Sequence, residues 1–518
     1  MGLGVFGGGI ESAKFLSRYC SHLLVTDLRD ENVLAESIAA LEGLPIEYRL
    51  GEHRRQDFEN ADVVIHSPAV RPDNPLLQAA RDHGAEVTME MSLFIEACPA
   101  KTVGITGSNG KTTTALLAYE MLCEVMERAQ PELAGKWATE PRSPGSGPSE
   151  MSVNAETAAP SRSRLCWLGG NCGEPLINRL EDMTADDVVV LELSSFQLQD
   201  WHRIKKSCDI SVITNITPNH LDWHQDMDEY IWAKSAIYRN AKTFGRMHLF
   251  NADDEVCANL PGAHKGGFYS IEVPLRAGAP SEVRFSGANG ELTAAYLQEA
   301  AAPSESASYI PIVLAQRDDL KLPGRFNWSN AVAATAAAML VEPVLLGREV
   351  AADTCSAAIR RFRGVEHRLE YCGEVNGARC YNDSIATTPE STLAALSAFD
   401  SGVHLLLGGS EKGLSYDALA DAIAKHGGIK GVYLQGANAD AIEAALARTG
   451  MSTPLKRFDT FDEACAAAFD ALQPGDVFLM SPSSASFYEY APNKRFTNFE
   501  HRGRHFKALV KAHPLAQP

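Results

Sequence analysis

The sequence predicts an α/β protein of three domains, and three observations lead there. The chain has 518 residues, more than one core holds, and domains of roughly 100–200 residues divide it into about three. Short apolar runs alternate with helix-period segments along most of its length, the pattern of parallel α/β units. A strand-like run, Val103–Ile105, passes through a glycine turn into a helix-type run at Ala115. That is how a phosphate-binding loop is built.

The first domain, residues 1–99, reads as a Rossmann-like parallel sheet. Apolar runs at Leu23–Thr26 and Val63–His66 alternate with helical patterns at Glu11–Tyr19 and Pro75–His83. Gly2-Leu3-Gly4-Val5-Phe6-Gly7 fits G-x-G-x-x-G, and Asp27 stands about 20 residues on, where a ribose hydroxyl is often held. The motif should follow a strand, yet only Met1 precedes it. The first strand is therefore expected to be truncated, or the true start to lie upstream of Met1. The motif alone admits a nicotinamide cofactor, another nucleotide or sugar nucleotide, or a plain tight turn.

The second domain, residues 100–363, reads as a P-loop ATPase-like α/β unit. Residues 102–114, TVGITGSNGKTTT, supply the loop Gly107, Ser108, Asn109 and Gly110, followed by Lys111, Thr112 and Thr113. Glycines let backbone N–H groups approach phosphate oxygens, and the helix N-terminus adds partial positive charge. Lys111 would reach the β/γ-phosphates and the Thr112 hydroxyl would sit on Mg²⁺. Ile105 stands where the strict pattern has its first glycine, so the pattern here is T-G-x-x-G-K-T. Further strand-like runs are Val188–Leu193, Ile210–Thr214 and Met247–Phe250, with an Ala-rich helix at Asn330–Leu340.

LELSSFQL (191–198) places Glu192 at the carboxyl end of an apolar run. A carboxylate there is costly to bury unless it meets a cation, and Mg²⁺ prefers oxygen ligands. TNITPNHLDWH (214–224) follows the next strand with His220, Asp222 and His224 close together. The spacing is not the closed set that zinc needs, so Mg²⁺ with His220 in its shell is expected. Residues 127–164, rich in Pro, Ser, Ala and Glu, are expected to form a disordered surface insertion. Residues 274–308 read as an irregular loop or a weak β excursion.

The third domain, residues 364–518, again reads as Rossmann-like α/β, with strand-like runs at His404–Leu407, Gly431–Leu434 and Val477–Met480. Composition narrows the function. The net charge of −19 argues against nucleic-acid or anionic-membrane surfaces. No apolar run reaches the ~18 residues of a membrane span, and no secretion signal is visible at the start. The 11 cysteines, without a C-x-x-C pair, suit the reduced thiols of a cytoplasmic protein.

Seven motifs occur in one order: TGSNGKTTT, GGNCG (169–173), LELSSFQL, NITPNHLD, GRFNWSNAVAA (324–334), EHRLE (366–370) and YNDSIATTPEST (381–392). With the C-terminal SPSSASFYEYAPNKRFTNFEHRGRHF (481–506), they cover nearly the whole chain, which resembles the Mur ligases. The likeness is to the members that join glutamate to UDP-N-acetylmuramoyl-L-alanine. It implies an ATP-dependent, ADP-forming amide ligase of peptidoglycan precursor synthesis that works through an acyl phosphate, with ATP and two Mg²⁺ ions. It also implies a cytoplasmic monomer with no nucleic-acid partner and no membrane insertion.

The resemblance assigns residues one by one. Lys111 and Thr112 hold phosphates and Mg²⁺, within a loop of Gly107, Ser108, Asn109, Gly110 and Thr113. Glu192 and His220 support the metals, and Lys234 becomes carbamylated and steadies the second ion. Without the resemblance, Lys234 in YIWAKSAIY reads as a solvated helix lysine. Asn327, Arg368 and Asp383 take adenine, phosphates and ribose. Gly4, Asp27, Leu28, Arg29 and Ser67 face the uridine diphosphate, with Pro68 beside them. Asn171, Ser194 and Gln197 line the muramoyl side. Thr387, Lys412, Ser486 and Phe499 surround the incoming glutamate.

Two features depart from the family pattern. Ile385 stands where N-D-S-K-A-T has lysine, and extra residues lie around Ala491–Arg495. Both fall on the amino-acid side, so D-glutamate, the family default, and L-glutamate both stay open. A folate or poly-amino-acid ligase, a nicotinamide-dependent oxidoreductase and a non-catalytic nucleotide switch are the competing readings.

Overall fold

The computed structural model describes residues 1–4, 8–129, 166–221, 223–241, 247–274, 283–298, 308–341, 352–411, 413–491 and 494–517. The expected insertion lies outside them from residue 130 onward, as do Asp222 and Lys412. Two compact units result. One holds Met1–Arg317 and Ser329–Ala358, the other Asp318–Trp328 and Ile359–Pro518.

The first unit is organised by a nine-stranded sheet. In it Lys101–Thr106 is paired in parallel with Val188–Glu192 on one side and Ile210–Ile213 on the other. Cys166–Gly170 continues the sheet beyond Val188–Glu192, and His248–Asn251 and Gly267–Ser270 continue it beyond Ile210–Ile213. Val188–Glu192 is buried along its whole length, so up to Leu191 it reads as a continuous apolar run rather than an alternating one. Within the segment 274–308, Val283–Ser286 and Glu291–Gln298 are strands, and Ser308–Gln316 follows; this β excursion closes one edge with antiparallel pairs.

Parallel strands point their carboxyl ends to one edge, and there the phosphate loop runs from Thr106 into the helix Lys111–Ala129. Loops from both neighbouring strands meet it at that edge. Helix Ser195–Ile204 starts with a capping box between Ser194 and Gln197, and Asp226 caps helix Met227–Arg239 by accepting from the Glu229 amide.

The N-terminal residues carry two parallel pairs, Leu23–Asp27 with Ile46–Leu50 and Val63–Ile65 with Glu86–Thr88. Met1 and Gly2 lie between them. The Met1 amine donates to Ile65 O and the Ser67 amide to Met1 O, while the Gly2 amide donates to Thr26 O. Irregular backbone, with Gly2 at φ +82°, thus joins the two pairs through these hydrogen bonds.

The second unit is a seven-stranded sheet in the order Leu455–Arg457, Ile429–Leu434, Val403–Leu407, Val477–Met480, Ala378–Asn382, Glu370–Val375 and Ala516–Gln517. The first five run parallel, and the last two pair antiparallel. Helix Phe499–Ala512, capped by Asn498, buries Arg502, Gly503, Phe506 and Val510. Among the described residues, no helix is long and apolar enough to cross a membrane.

Candidate active site

The loop after Thr106 is held open by contacts that only glycine permits. A Cβ on Gly107 would stand 1.9 Å from Thr214 Oγ1, and one on Gly110, at φ +81°, 2.2 Å from Asn330 Oδ1. The loop is tied to the segment after the neighbouring strand. The Ser108 amide donates to Asn215 O at 2.8 Å and the Asn109 amide to Asn215 Oδ1 at 2.9 Å. Thr214 Oγ1 donates to Asn109 O at 2.6 Å, and Asn215 Nδ2 to the same oxygen at 3.0 Å. Ser108 Oγ donates to Thr217 O at 2.9 Å and lies 3.0 Å from Tyr230 Oη. Thr214, Asn215 and Tyr230 are structural partners that sequence reasoning missed. The signal for Thr214 and Asn215 was present in TNITPNH, which follows the strand beside the loop, whereas Tyr230 comes from helix Met227–Arg239.

Two amines converge on this loop. Lys111 Nζ donates to Gly107 O at 3.1 Å and Ser108 O at 3.0 Å. Lys234 Nζ donates to the same Gly107 O at 2.9 Å and to Thr106 Oγ1 at 3.3 Å, and lies 4.6 Å from the centre of the Tyr230 ring. Lys234 is only 2% exposed. Burial, and then the Lys111 charge, hold its amine well below the ordinary lysine range, against a weaker opposing pull from Cys257 and Glu192. The helix lysine that reads as solvated is therefore an interior group. Its spacing from Tyr230 and Ile237, both buried, places all three on one helical face.

Glu192 ends its strand beside Ile105 on one side and Gly170 on the other, and is 5% exposed. Gly170, at φ +91°, lets its chain approach closely, since a Cβ there would lie 2.1 Å from Glu192 O. The exposed Asn171 follows, its amide donating to Glu192 O at 2.9 Å. Burial pushes the Cys172 thiol up, and the Glu192 carboxylate beside it adds to that. Ser194 and Gln197 bond each other: Ser194 N and Oγ both donate to Gln197 Oε1 at 2.9 Å.

His220 stands exposed in the loop 214–224 at φ +55°, with its ring against Phe196 at 4.9 Å. His224 is a core residue instead. It is 1% exposed, Nε2 lies 2.9 Å from Ser195 Oγ, and burial lowers its basicity. Thr112 is half-buried in the first turn of the loop's helix. Thr112, Glu192 and His220 thus come from the helix after Lys101–Thr106, from the end of Val188–Glu192 and from the loop after Ile210–Ile213, the two strands that flank Lys101–Thr106.

Mg²⁺ is usually bound by one or two carboxylates plus substrate phosphates, not by a closed protein cage. A buried carboxylate, Glu192, on the strand beside the one that leads into the glycine loop fits that requirement. Among the described residues, three clustered His, Asp, Glu or Cys ligand atoms occur at Glu366, His367 and Glu370, in the other unit. There Lys507 already supplies the cation, at 2.7 Å from Glu366 Oε1 and 2.8 Å from Glu370 Oε1.

At the N-terminal glycines, Asp27 is 3% exposed and committed to its own chain. The Gly4 amide donates to Oδ2 at 3.1 Å, and the Arg29 amide and Nε donate to Oδ1 at 2.9 and 3.3 Å. Burial pushes this carboxyl up, but these bonds together hold it below its ordinary value. Leu28 is 67% exposed beside it, a flat apolar surface of the kind on which a base can rest. Gly2 packs on Ser67, whose Oγ accepts from the Ala69 amide at 3.3 Å. Val5, Phe6 and Gly7 of the motif lie outside the described residues.

In the second unit, Asp383 is buried between the Leu369 amide, which donates to Oδ1 at 3.2 Å, and Ser481 Oγ, which donates to Oδ2 at 2.7 Å. Burial raises its carboxyl to about 7, against Ser481, Leu369 and the nearby Arg368 and Arg502 charges. Arg368 itself is exposed, and Asn327 is buried with Nδ2 donating to Pro323 O at 2.8 Å. Thr387 is half-buried just before helix Pro389–Leu396, and Ser486 is 2% exposed. Phe499 opens the last long helix, its carbonyl accepting from Ser384 Oγ at 2.7 Å.

Three family models match along the chain: the Mur ligase MurD-like N-terminal domain over residues 1–89, the Mur ligase middle domain over 174–338, and the Mur ligase glutamate ligase domain over 367–484. A protein of Roseiflexus sp., named UDP-N-acetylmuramoylalanine–D-glutamate ligase, is 36% identical over 519 residues, 99% of this chain and 97% of the relative. A protein of that name from Acetivibrio thermocellus is 34% identical over 520 residues, 98% of this chain and 96% of its own. Two solved structures share the fold. The UDP-N-acetylmuramate–alanine ligase of Thermotoga maritima superposes with a TM-score of 0.51 at 18% identity, covering 98% of both chains. A UDP-N-acetylmuramoyl-L-alanyl-D-glutamate–2,6-diaminopimelate ligase reaches 0.50 at 17% identity, covering 86% of this chain and 92% of that one.

Proposed function

The chain belongs to the Mur ligase family, and from that premise we propose that it joins D-glutamate to UDP-N-acetylmuramoyl-L-alanine at the expense of ATP. The family's members are ATP-dependent amide ligases. A carboxylate and an amine do not condense favourably in water. The acceptor carboxylate therefore takes the γ-phosphoryl group, and the acyl phosphate loses phosphate when the glutamate amine attacks. The observation that carries the reading is the loop after Thr106. Its two glycines admit the close approach of Thr214 and Asn330 that shapes the loop, and its edge gathers Lys111, Lys234 and Glu192.

In this reading Lys111 and the amides of Ser108–Thr113 neutralise and orient the triphosphate, so catalysis is mainly positioning and charge balance. Two Mg²⁺ ions, held through Thr112, Glu192 and His220, would supply further charge neutralisation at the transferring group. The buried Lys234 amine, whose basicity burial and the Lys111 charge lower, would take up CO₂ and lose a proton to become a carbamate, replacing an amine with a carboxylate-type group. Gly4, Asp27, Leu28, Arg29 and Ser67 shape the uridine-diphosphate side, with Asp27 acting on the loop amides. Asn171, Ser194 and Gln197 serve the muramoyl side, the last two partly by fixing the helix start. Asn327, Arg368 and Asp383 take the nucleotide, and Thr387, Lys412, Ser486 and Phe499 hold glutamate. We place it in the cytoplasm as a monomer, in keeping with its free cysteines.

Addition of L-glutamate is the second reading, favoured by Ile385 in place of a cation next to the Asp383 turn. Separate assays with D- and L-glutamate, reading ADP and amide product, decide between them. Product only with the L-form would replace the first reading by the second. NADH turnover without ligation would restore the oxidoreductase reading instead.

A further inference from the structure

The turn that presents Arg368 is conformationally costly. His367 has φ +65° and Leu369 φ +43°, so left-handed non-glycine residues flank the arginine on both sides. Such backbone persists only where the surroundings over-determine it. Here the turn is pinned from within and from a helix. The His367 amide donates to Glu370 Oε2 at 2.9 Å, the Leu369 amide to Asp383 Oδ1 at 3.2 Å, and the Arg368 amide to Val365 O at 3.0 Å. Asn382 Nδ2 donates to both Glu370 Oε2 and His367 Nδ1 at 2.9 Å.

The helix Phe499–Ala512 supplies the rest. Phe499, Gly503 and Lys507 recur every four residues and so form one stripe. Phe499 meets the His367 ring edge-on at 5.9 Å between centres. A Cβ on Gly503 would lie 2.1 Å from His367 Nδ1, so glycine lets the helix press on the ring. Lys507 Nζ then bridges Glu366 Oε1 at 2.7 Å and Glu370 Oε1 at 2.8 Å, one carboxylate on each side of the His367–Leu369 turn. Burial pulls the ammonium down, but the two carboxylates outweigh it and keep it above the ordinary lysine range. His367 cannot share the task, because burial lowers its imidazole to about 4 and leaves it neutral at pH 7.

We propose that Lys507 is a positioning residue: its ammonium clasps Glu366 to Glu370 across the strained turn and so fixes the exposed Arg368 for nucleotide. This rests on the nucleotide role proposed above for Arg368. Without the ammonium, the bridge between the two carboxylates is lost, and their mutual repulsion favours opening of the turn. Arginine keeps the charge and two donors; methionine keeps the packing stem alone.

The test uses the full chain as wild type, Lys507→Met, Lys507→Arg, Arg368→Ala and the Arg368→Ala/Lys507→Met pair. Phosphate release is followed with ATP varied at saturating acceptor nucleotide and D-glutamate, and ADP affinity is measured by calorimetry. Lys507→Met should raise the KM for ATP and the Kd for ADP about tenfold, leave the KM for the acceptor nucleotide within about twofold, and regain most of the loss as Lys507→Arg. In the Arg368→Ala background it should add less than about twofold, since it acts through that arginine. Unchanged ATP and ADP parameters, effects that multiply in the pair, or no recovery with arginine would overturn the proposal. If Lys507→Met does not fold, the arginine variant alone decides: a tenfold loss there has the same overturning force. A wild type that binds ADP but never ligates would sink the ligase reading while the ADP series still judges the clasp.

Discussion

Gly107→Ala should disable the phosphate loop by collision. The new methyl carbon would lie 1.9 Å from Thr214 Oγ1, with Asn215 O at 3.0 Å and Asn215 N at 3.1 Å. The backbone neighbours cannot give way cheaply, so the Thr214 side chain must rotate. It is 2% exposed and would lose its donations to Asn109 O at 2.6 Å and Thr106 O at 3.3 Å. Neither carbonyl is orphaned, because Asn215 Nδ2 still donates to Asn109 O and the Thr214 amide to Thr106 O. The loss is therefore one buried hydroxyl left unpaired plus one good hydrogen bond, together about 2–4 kcal/mol. Expressed in the closed loop needed for phosphate transfer, that is about 30- to 10³-fold in kcat/KM for ATP. The assay is ADP release at varied ATP. Thr214→Ala in the same chain removes the colliding oxygen, so the double variant should recover about tenfold over Gly107→Ala alone. An active Gly107→Ala enzyme, or a double variant no better than the single one, would refute the reasoning.

Lys111→Ala should lower kcat by at least about 10²–10³-fold while the melting temperature stays close to wild type, because the role proposed for the lysine is charge at the transferring group; near-normal turnover would remove that role. Lys234→Ala should lose activity that short carboxylic acids partly restore, if a carbamate is the working form; absence of rescue would leave the amine without that function. Stability carries a second mark of Lys234. The unfolded chain keeps its proton up to the ordinary lysine value while the folded chain releases it lower, so unfolding free energy should rise with pH across that interval and flatten in Lys234→Met. Asp383 works in the opposite sense. Its carboxyl is raised from 3.8 to about 7 on folding, so the folded chain binds the extra proton and stability falls as pH rises between those values, by up to about 4 kcal/mol. Asp383→Asn cannot titrate, and chemical denaturation at pH 5 and pH 8 should show that slope reduced; an unchanged slope would place the titration elsewhere.

Much of this architecture is legible in the chain because the local signals agree with the tertiary result. Val188–Leu191 is an uninterrupted apolar run, and the strand Val188–Glu192 is buried throughout. The helix-cap pairs Ser194 with Gln197 and Thr460 with Glu463 sit where S/T-x-x-E/Q marks a start. Ile46–Leu50 is less legible, since it is only partly buried and carries Glu47 and Arg49. Gly267–Ser270 is too short and glycine-led to stand out. The same contrast holds at the site. Lys111 and Glu192 are announced by their strand ends. Lys234 is not, because its burial depends on a carbonyl contributed from far along the chain, Gly107 O. Lys507 is hidden for the same reason, as its partners Glu366 and Glu370 lie more than a hundred residues away. Asp318–Trp328 belongs with the C-terminal unit, a grouping set by contacts such as Tyr381 Oη to Lys321 O at 3.2 Å that no local pattern encodes.

The most direct test is ADP release by the purified full chain with Mg²⁺ and ATP, with each organic substrate supplied in turn. Release that requires UDP-N-acetylmuramoyl-L-alanine and glutamate together, one ADP for each amide formed, is the predicted result. ATP left unconsumed with both substrates present, by protein shown to be folded, would contradict it.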